Sequence, residues 1–194
     1  MKNILIIAAT KKEIENLKNI ESEGCRLEYL INGIGYKKAS DAIRNVDFLR
    51  YDMIINAGIA GSLTDKYHKG DLILAKKVYF EDNGTEEGIE ITNDFIDLSQ
   101  FFSQIYQGRI VTVKEAIKTE KDKQRILQNY PKAVAVDMEV YPWAVVTARH
   151  NIPFHILKVI SDHCQKIDLE NIVEQTAELM VPVRNLLRRV FEKI

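Results

Sequence analysis

Short runs of aliphatic and β-branched residues alternate with amphipathic stretches along this chain. The first runs cover residues 4–8, 27–31 and 53–56, and helical spacing of apolar residues follows the first two. Strands that alternate with helices are typical of a mostly parallel sheet with helices on its faces. The pattern therefore predicts an α/β fold, and the length of 194 residues favours one domain spanning residues 1–194.

Local signals place the helices. Glu13 follows Thr10 by three residues, a capping-box spacing that predicts a helix directly after the first strand. Pro142 is expected in the first turn of a later helix, where its missing N–H costs nothing. Helices are also predicted for residues 94–106 and 119–129. The second helix is expected to pack on the sheet through Ala39, Ala42, Ile43, Val46 and Leu49, and one long C-terminal helix through Ile172, Thr176, Leu179, Val183, Leu186 and Val190.

The remaining strands are predicted from β-rich apolar runs that turn-forming residues separate. These runs cover residues 72–80, 89–92, 109–113, 133–138 and 153–160. The acidic stretch EDNGTEEG lies between the first two of them and predicts a turn.

Charge and apolar content exclude two kinds of partner. The formal net charge is −1, with basic and acidic residues interspersed, so the chain lacks the basic face that would neutralise a phosphate backbone. No window approaches the roughly 20 apolar residues of a membrane span, and the opening apolar run is too short for a signal peptide. We therefore expect a cytoplasmic protein that binds neither nucleic acid nor membranes.

Cysteine and histidine spacing gives no sign of a metal site. Cys25 and Cys164 are far apart in sequence and form no CxxC pair, so both are expected to be buried as small apolar residues. The four histidines show no HExxH or HxH spacing. We expect no metal and no cofactor.

Three carboxylates follow predicted strands, at the end where ligands collect in an open α/β sheet. Glu13 comes after the first strand, Glu139 after the strand at 133–138, and Asp162 after the strand at 153–160. A single carboxylate in such a place is usually a helix cap. Three together form the set that glycosidic cleavage needs: an acid for the leaving group, a base for water, and negative charge beside the developing sugar cation.

Five motifs occur in an order that resembles a known superfamily. They are GIG at residues 33–35, INAGIAGSL at 55–63, KGDLIL at 69–74, VDME at 136–139 and IPFHILKVISD at 152–162. The ordered set resembles the nucleoside phosphorylase and nucleosidase superfamily, and within it the methylthioadenosine and S-adenosylhomocysteine nucleosidases. The resemblance implies a single three-layer α/β/α domain with a central mixed, mostly parallel twisted sheet. It also implies a purine nucleoside as the small-molecule partner and a homo-oligomer, with a dimer favoured.

The activity implied is hydrolysis of the N-glycosidic bond of a 5′-modified adenosine. Asp162 matches the general acid that protonates the purine at N7, and it must carry a proton near pH 7 for the base to leave neutral. Glu139 matches the carboxylate that binds the ribose hydroxyls and stabilises the sugar cation, and Glu13 matches the residue that orients or deprotonates the attacking water. The other positions expected around the substrate are Thr10, Gly58, Ile59, Ala116, Ile117, Met138, Lys158 and Ser161.

Three positions depart from the family pattern. Ala116 stands where the nucleosidases usually present an aromatic ring to the base, and Lys158 stands where arginine is usual. Ile59 stands where many relatives have a hydroxyl residue near the attacking phosphate or water. Lys158 either serves the site or snorkels from a strand end. No arginine is suitably placed for a phosphate pocket, which favours water as the nucleophile.

Three alternatives stay open. Futalosine hydrolases share the resemblance at AATKKEI, INAGIAGS and EDNGTEEG, but they tend to carry Asn at the position of Asp162. A phosphate-dependent nucleoside phosphorylase is the second alternative, and it requires inorganic phosphate for turnover. A non-catalytic nucleoside-binding homologue is the third, motivated by Lys158, Ala116 and the short segment between Asp162 and the last helix.

Overall fold

One mixed β-sheet organises the chain in the computed structural model, which describes residues 1–83, 87–91, 105–165 and 169–193. Eight strands are present in these ranges. Their bounds are β1 Lys2–Ala8, β2 Cys25–Ile31, β3 Met53–Ser62, β4 Leu72–Phe80, β5 Ile89–Glu90, β6 Ile105–Thr112, β7 Ala133–Asp137 and β8 Phe154–Asp162.

The strand order is β2-β1-β3-β7-β6-β4-β5, and β8 pairs with both β3 and β4. Because β3 also pairs with β7, and β4 with β6, the strands β3, β7, β6, β4 and β8 form a closed circuit. Five of the eight pairings between described strands are parallel. The predicted α/β class and the mostly parallel, mixed sheet are therefore confirmed.

Helices cover both faces of this sheet. Their bounds are α1 Lys11–Glu15, α2 Tyr36–Ile43, α3 Glu120–Asn129, α4 Val140–His150, α5 Leu169–Leu179 and α6 Val181–Phe191. Residues of α1 and α6 share one apolar cluster with the sheet, and residues of α2 and α4 share a second cluster. A third cluster joins α3 to the ends of β6 and β7. Within the described ranges, no helix combines the length and the apolar character needed to cross a membrane.

The position of β1 between two layers of helices explains why its sequence is an unbroken apolar run. Ile4 and Ile6 face the cluster of α1 and α6, whereas Leu5 and Ile7 face the cluster of α2 and α4. All four side chains are buried. A strand covered on both faces needs apolar residues at every position, so its pattern is continuous and does not alternate.

The C-terminal segment differs from the single long helix that was predicted. It forms two helices, α5 and α6, that meet at Met180. Pro182 lies in the first turn of α6 and has no N–H to donate to the carbonyl four residues earlier, so the helical ladder is interrupted there. The predicted apolar face survives the break, since Leu179, Val183 and Leu186 all lie in the core.

Three other boundaries differ from the prediction. The second helix ends at Ile43, and Leu49 is exposed in a short 3-10 turn, Phe48–Arg50, that Asp47 caps. Strand β3 continues through the glycine-rich AGIAGS segment to Ser62. The predicted helix at 94–106 falls mostly outside the described residues, and its last two positions belong to β6.

Candidate active site

A cavity of about 310 Å³ opens where the carboxyl ends of β1, β7 and β8 meet. Glu13, Glu139 and Asp162 all line it, although more than a hundred residues separate the first of them from the other two. Its volume lies at the lower end of the range of about 300 to 1,000 Å³ that is usual for small-molecule sites. The three carboxylates expected to act together therefore share one site.

Glu13 is held by the capping box that the sequence predicts. The backbone N–H of Thr10 donates to Oε2 of Glu13 at 2.7 Å, and the Thr10 hydroxyl donates to the same oxygen at 2.9 Å. Oε1 of Glu13 accepts from the backbone N–H of Ile59 at 3.2 Å. The side chain is buried, so its carboxylate has one orientation relative to the cavity.

Glu139 precedes the first residue of α4, but its side chain does not cap that helix. Oε1 accepts from the backbone N–H of Gly35 at 2.7 Å, and Oε2 accepts from the backbone N–H of Met138 at 3.3 Å. Gly35 has a φ of 96°, a conformation that L side chains rarely adopt, which explains the glycine at this position.

Burial raises the pKa of Glu139 to about 7. The charges of Asp137 and, more weakly, Glu13 also raise this pKa, whereas Lys158 and the Gly35 hydrogen bond lower it. Glu139 therefore changes its charge close to neutral pH, which makes its ionisation sensitive to small changes around it.

Asp162 is the last residue of β8. The hydroxyl of Ser161 donates to its Oδ2 at 2.6 Å, and the backbone N–H of Cys164 donates to its Oδ1 at 2.7 Å. Cys164 has a φ of 60°, in the left-handed region that non-glycine residues rarely adopt. The two bonds fix the carboxyl group at the wall of the cavity.

Asp137 is a lining residue to which the sequence analysis assigned no role. Its Oδ1 accepts from the Thr112 hydroxyl at 2.7 Å, and its Oδ2 lies 3.0 Å from Nζ of Lys158. Oδ2 also accepts from the backbone N–H groups of Val140 at 3.0 Å and Glu139 at 3.4 Å, so Asp137 caps α4. The available signal was its position, since it is the carboxylate that ends β7 within the VDME motif.

Sequence comparison identifies the family to which the chain belongs. The model of the Phosphorylase superfamily matches residues 3–192. This chain belongs to that superfamily. A 5′-methylthioadenosine/S-adenosylhomocysteine nucleosidase from Desulfotalea psychrophila is 25% identical over 226 aligned positions, which cover 97% of this chain and 95% of that protein. A nucleosidase of the same name from Staphylococcus aureus is 26% identical over 176 positions, covering 77% and 76% of the two chains.

Solved structures share the fold of this superfamily member. A Helicobacter pylori 5′-methylthioadenosine/S-adenosylhomocysteine nucleosidase with butyl-thio-DADMe-Immucillin-A has a TM-score of 0.88 at 17% identity, covering 100% of this chain and 99% of that one. Futalosine hydrolase from the same organism has a TM-score of 0.87 at 16% identity, covering 100% and 98%. At these identities the likeness establishes the architecture.

Nine of the eleven residues predicted for the superfamily site line the cavity. They are Thr10, Glu13, Ile59, Ala116, Ile117, Met138, Glu139, Ser161 and Asp162. Gly58 and Lys158 were expected to contact the substrate, but they lie behind the lining. A Cβ on Gly58 would lie 2.7 Å from Oε1 of Glu13, so the close approach of this carboxylate to β3 requires glycine.

Lys158 does not snorkel to solvent, contrary to one of the two expectations for it. Its side chain is 3% exposed, and its ammonium pairs with Asp137 inside the sheet. Burial lowers the pKa of Lys158, but Asp137, Glu139 and Glu13 outweigh that effect, and the net pKa is raised. The residue therefore stays charged beneath the cavity.

Most of the side chains that line the cavity are apolar. Ala116 shares the lining with Val113, Ile117 and Met138, and none of the described lining residues is aromatic. Cys164 also lines the cavity, and burial followed by the charge of Asp162 raises the pKa of its thiol to about 12. This thiol stays protonated, and both cysteines are buried as predicted. Across the described part of the chain, no group of three His, Cys, Asp or Glu side chains is placed to hold a metal ion.

Proposed function

We propose that this chain hydrolyses the N-glycosidic bond of a 5′-modified adenosine of the methylthioadenosine or S-adenosylhomocysteine type. The observation that carries the proposal is the convergence of Glu13, Glu139 and Asp162 on one cavity. The names of the relatives from D. psychrophila and S. aureus support it.

Each carboxylate has one task in the proposed reaction. Asp162 gives its proton to N7 of the purine, so that the bond to the sugar breaks and the base leaves neutral. Glu139 accepts hydrogen bonds from the ribose hydroxyls, and its negative charge stabilises the oxocarbenium-like sugar. Glu13 takes a proton from the attacking water, whose oxygen forms the new bond to the anomeric carbon. The products are the free base and the 5′-modified ribose.

The lining favours water over phosphate as the nucleophile. A phosphate pocket usually has arginine side chains that bind the oxyanion in pairs of hydrogen bonds. None of the lining residues that the structure describes is an arginine. Two lysines, Lys11 and Lys12, line the cavity, and Lys11 pairs with Glu15 at 3.4 Å.

A base-release screen tests the proposed function. Purified protein is incubated with methylthioadenosine, S-adenosylhomocysteine, futalosine, adenosine and inosine, each with and without phosphate, and chromatography detects the free base. We expect adenine from the first two compounds in both conditions. Release only from futalosine would assign the chain to the second enzyme, and release only with phosphate would make it a phosphorylase. Calorimetric binding of methylthioadenosine without any product would leave a non-catalytic nucleoside-binding protein.

We also propose that the chain acts as a cytoplasmic homodimer. Ile31 and Ile34 are exposed apolar side chains, and Ile34 lines the cavity as well. An interface that covers Ile34 would also bury one side of the substrate. Size-exclusion chromatography with light scattering tests the dimer, and cell fractionation tests the compartment.

A further inference from the structure

A buried ion pair lies at the wall of the cavity, since Asp137 is a lining residue and Lys158 lies behind it. Nζ of Lys158 on β8 is 3.0 Å from Oδ2 of Asp137 on β7, and the two side chains are 3% and 0% exposed. A pair so deeply buried is weak evidence for stability, because desolvation of both charges offsets their attraction. The contacts of the pair therefore indicate its role better than its contribution to stability does.

Asp137 connects this ion pair to Glu139. The same Oδ2 that faces Lys158 also accepts the backbone N–H groups of Val140 and Glu139. The other oxygen accepts the Thr112 hydroxyl, which in turn accepts the backbone N–H of Tyr141 at 3.0 Å. Asp137 therefore ties the start of α4, which Glu139 directly precedes, to two strands of the sheet.

The ammonium of Lys158 interacts electrostatically with more carboxylates than its direct partner Asp137. Glu13 from α1, Asp137 from β7 and Glu139 at the start of α4 all contribute to the electrostatic environment of its ammonium. Glu13 and Lys158 approach the same glycine, since a Cβ on Gly58 would lie 2.7 Å from Oε1 of Glu13 and 3.5 Å from Nζ of Lys158. The negative charges of three carboxylates thus act on one buried positive charge.

We propose that the Lys158–Asp137 pair is a positioning device: Asp137 holds Glu139 at the sugar side of the cavity, and Lys158 favours the ionised form of Glu139 that catalysis uses. This inference rests on the proposed nucleosidase function. Neither residue has to react, because both act through Glu139. The two partners bias Glu139 in opposite directions, since the negative charge of Asp137 favours its protonated form and the positive charge of Lys158 favours its ionised form.

Because Asp137 and Lys158 affect the ionisation of Glu139 in opposite directions, two single variants test the proposal. Removing the charge of Asp137 in Asp137→Asn lets Glu139 ionise at lower pH, so the acid limb of the kcat/KM profile moves to lower pH. Removing the charge of Lys158 in Lys158→Met moves the same limb to higher pH. Each shift is expected to be on the order of one pH unit, which is typical for the loss of a close charge. The double variant should return the limb close to its wild-type position.

A second readout does not depend on turnover. The ionisation of Glu139 is followed by NMR of protein labelled with ¹³C at the glutamate carboxyl groups, and Glu139→Gln assigns its signal. The midpoint of this titration should move down in Asp137→Asn and up in Lys158→Met. A pair with only a structural role would move both midpoints the same way or leave both unchanged, and either result overturns the proposal.

Two control variants show whether a shift of the pH profile comes from the charge of Lys158. Lys77→Met removes a lysine–carboxylate pair of 2.9 Å to Glu90, outside the cavity lining, and should leave the pH profile unchanged. Lys158→Arg keeps the charge and should keep the limb near its wild-type position. If Lys158→Met does not fold, Asp137→Asn and Lys158→Arg still decide the outcome. If wild-type protein releases no base, the proposed function fails, whereas the NMR titration still tests the pair.

Discussion

Thr10 and Glu13 hold each other at the start of α1. The backbone N–H of Thr10 donates to Oε2 of Glu13 at 2.7 Å, and the backbone N–H of Glu13 donates to the Thr10 hydroxyl oxygen at 3.3 Å. A capping box usually only begins a helix. Here its carboxylate also faces the cavity, so the local rule that starts α1 orients the residue proposed to activate water.

Glu13→Gln should lower the rate of adenine release by about 10²-fold or more, because the amide cannot take a proton from water. Single-turnover assays measure the rate, and circular dichroism confirms the fold. Glu15→Gln is the matched control, since Glu15 lies on the same helix with 56% of its side chain exposed. Near-normal turnover in Glu13→Gln would exclude this residue as the base.

Asp162→Asn should lower turnover by on the order of 10²-fold or more while the fold stays intact, because an amide has no proton to give to N7. The amide oxygen can still accept the backbone N–H of Cys164, and the amide NH2 can donate to the Ser161 hydroxyl, whose proton can go to the Ala60 carbonyl oxygen. Binding of methylthioadenosine should therefore change less than kcat. Calorimetry and base-release assays separate the two quantities. Asp65→Asn serves as control, since that side chain is 98% exposed. A kcat within a few-fold of wild type would remove Asp162 from the mechanism.

Gly58→Ala should reduce kcat, because the new Cβ would lie 2.7 Å from Oε1 of Glu13 and displace the carboxylate from Ile59. This loss of kcat should arise from the displaced carboxylate of Glu13. In a Glu13→Ala background, Gly58→Ala should therefore cost little further activity, which a double-mutant cycle measures. Additive losses in the cycle would mean that Gly58 acts by another route.

His155→Leu should make the protein less sensitive to acid. His155 is fully buried, neither ring nitrogen has a hydrogen-bond partner among the described residues, and burial followed by the charge of Lys76 lowers its pKa to about 4. The unfolded chain binds the proton near pH 6.5, so the folded state loses stability as pH falls from 6.5 towards 4. The loss between pH 7 and 5 should be about 2 kcal/mol.

Urea unfolding at pH 7 and pH 5 measures this contribution. The difference between the two free energies of unfolding should shrink in His155→Leu relative to wild type. His68→Gln is the control because its side chain is exposed. An unchanged difference in His155→Leu would show that other groups cause the acid sensitivity.

Patterns between near neighbours in sequence were sufficient for much of the fold. The apolar run of β1 predicted a buried strand, and the spacing of Thr10 and Glu13 predicted both the start of α1 and its capping bonds. The break at Met180 was also readable, since Pro182 stands inside the predicted helix. It was missed because the apolar spacing continues across the break.

The site was predicted less completely than the fold. Residues that end strands could be recognised one by one, and nine of the eleven named positions line the cavity. The burial of Lys158 could not be read from its neighbours, because it follows from β8 lying between β3 and β4. The position of Asp137 at the end of β7 was readable, but its contacts were not, since its partners Thr112 and Lys158 come from other strands.

The sequence by itself determined which segments form strands and helices, and which residues end them, because periodicity and capping depend on residues a few positions apart. Tertiary structure alone decided that β8 closes a circuit of five strands and that Gly35 donates to Glu139 across 104 positions. It also decided that the negative charges of three carboxylates act on one buried lysine. These features depend on how distant segments pack, and the free energy of that packing is distributed over the whole core.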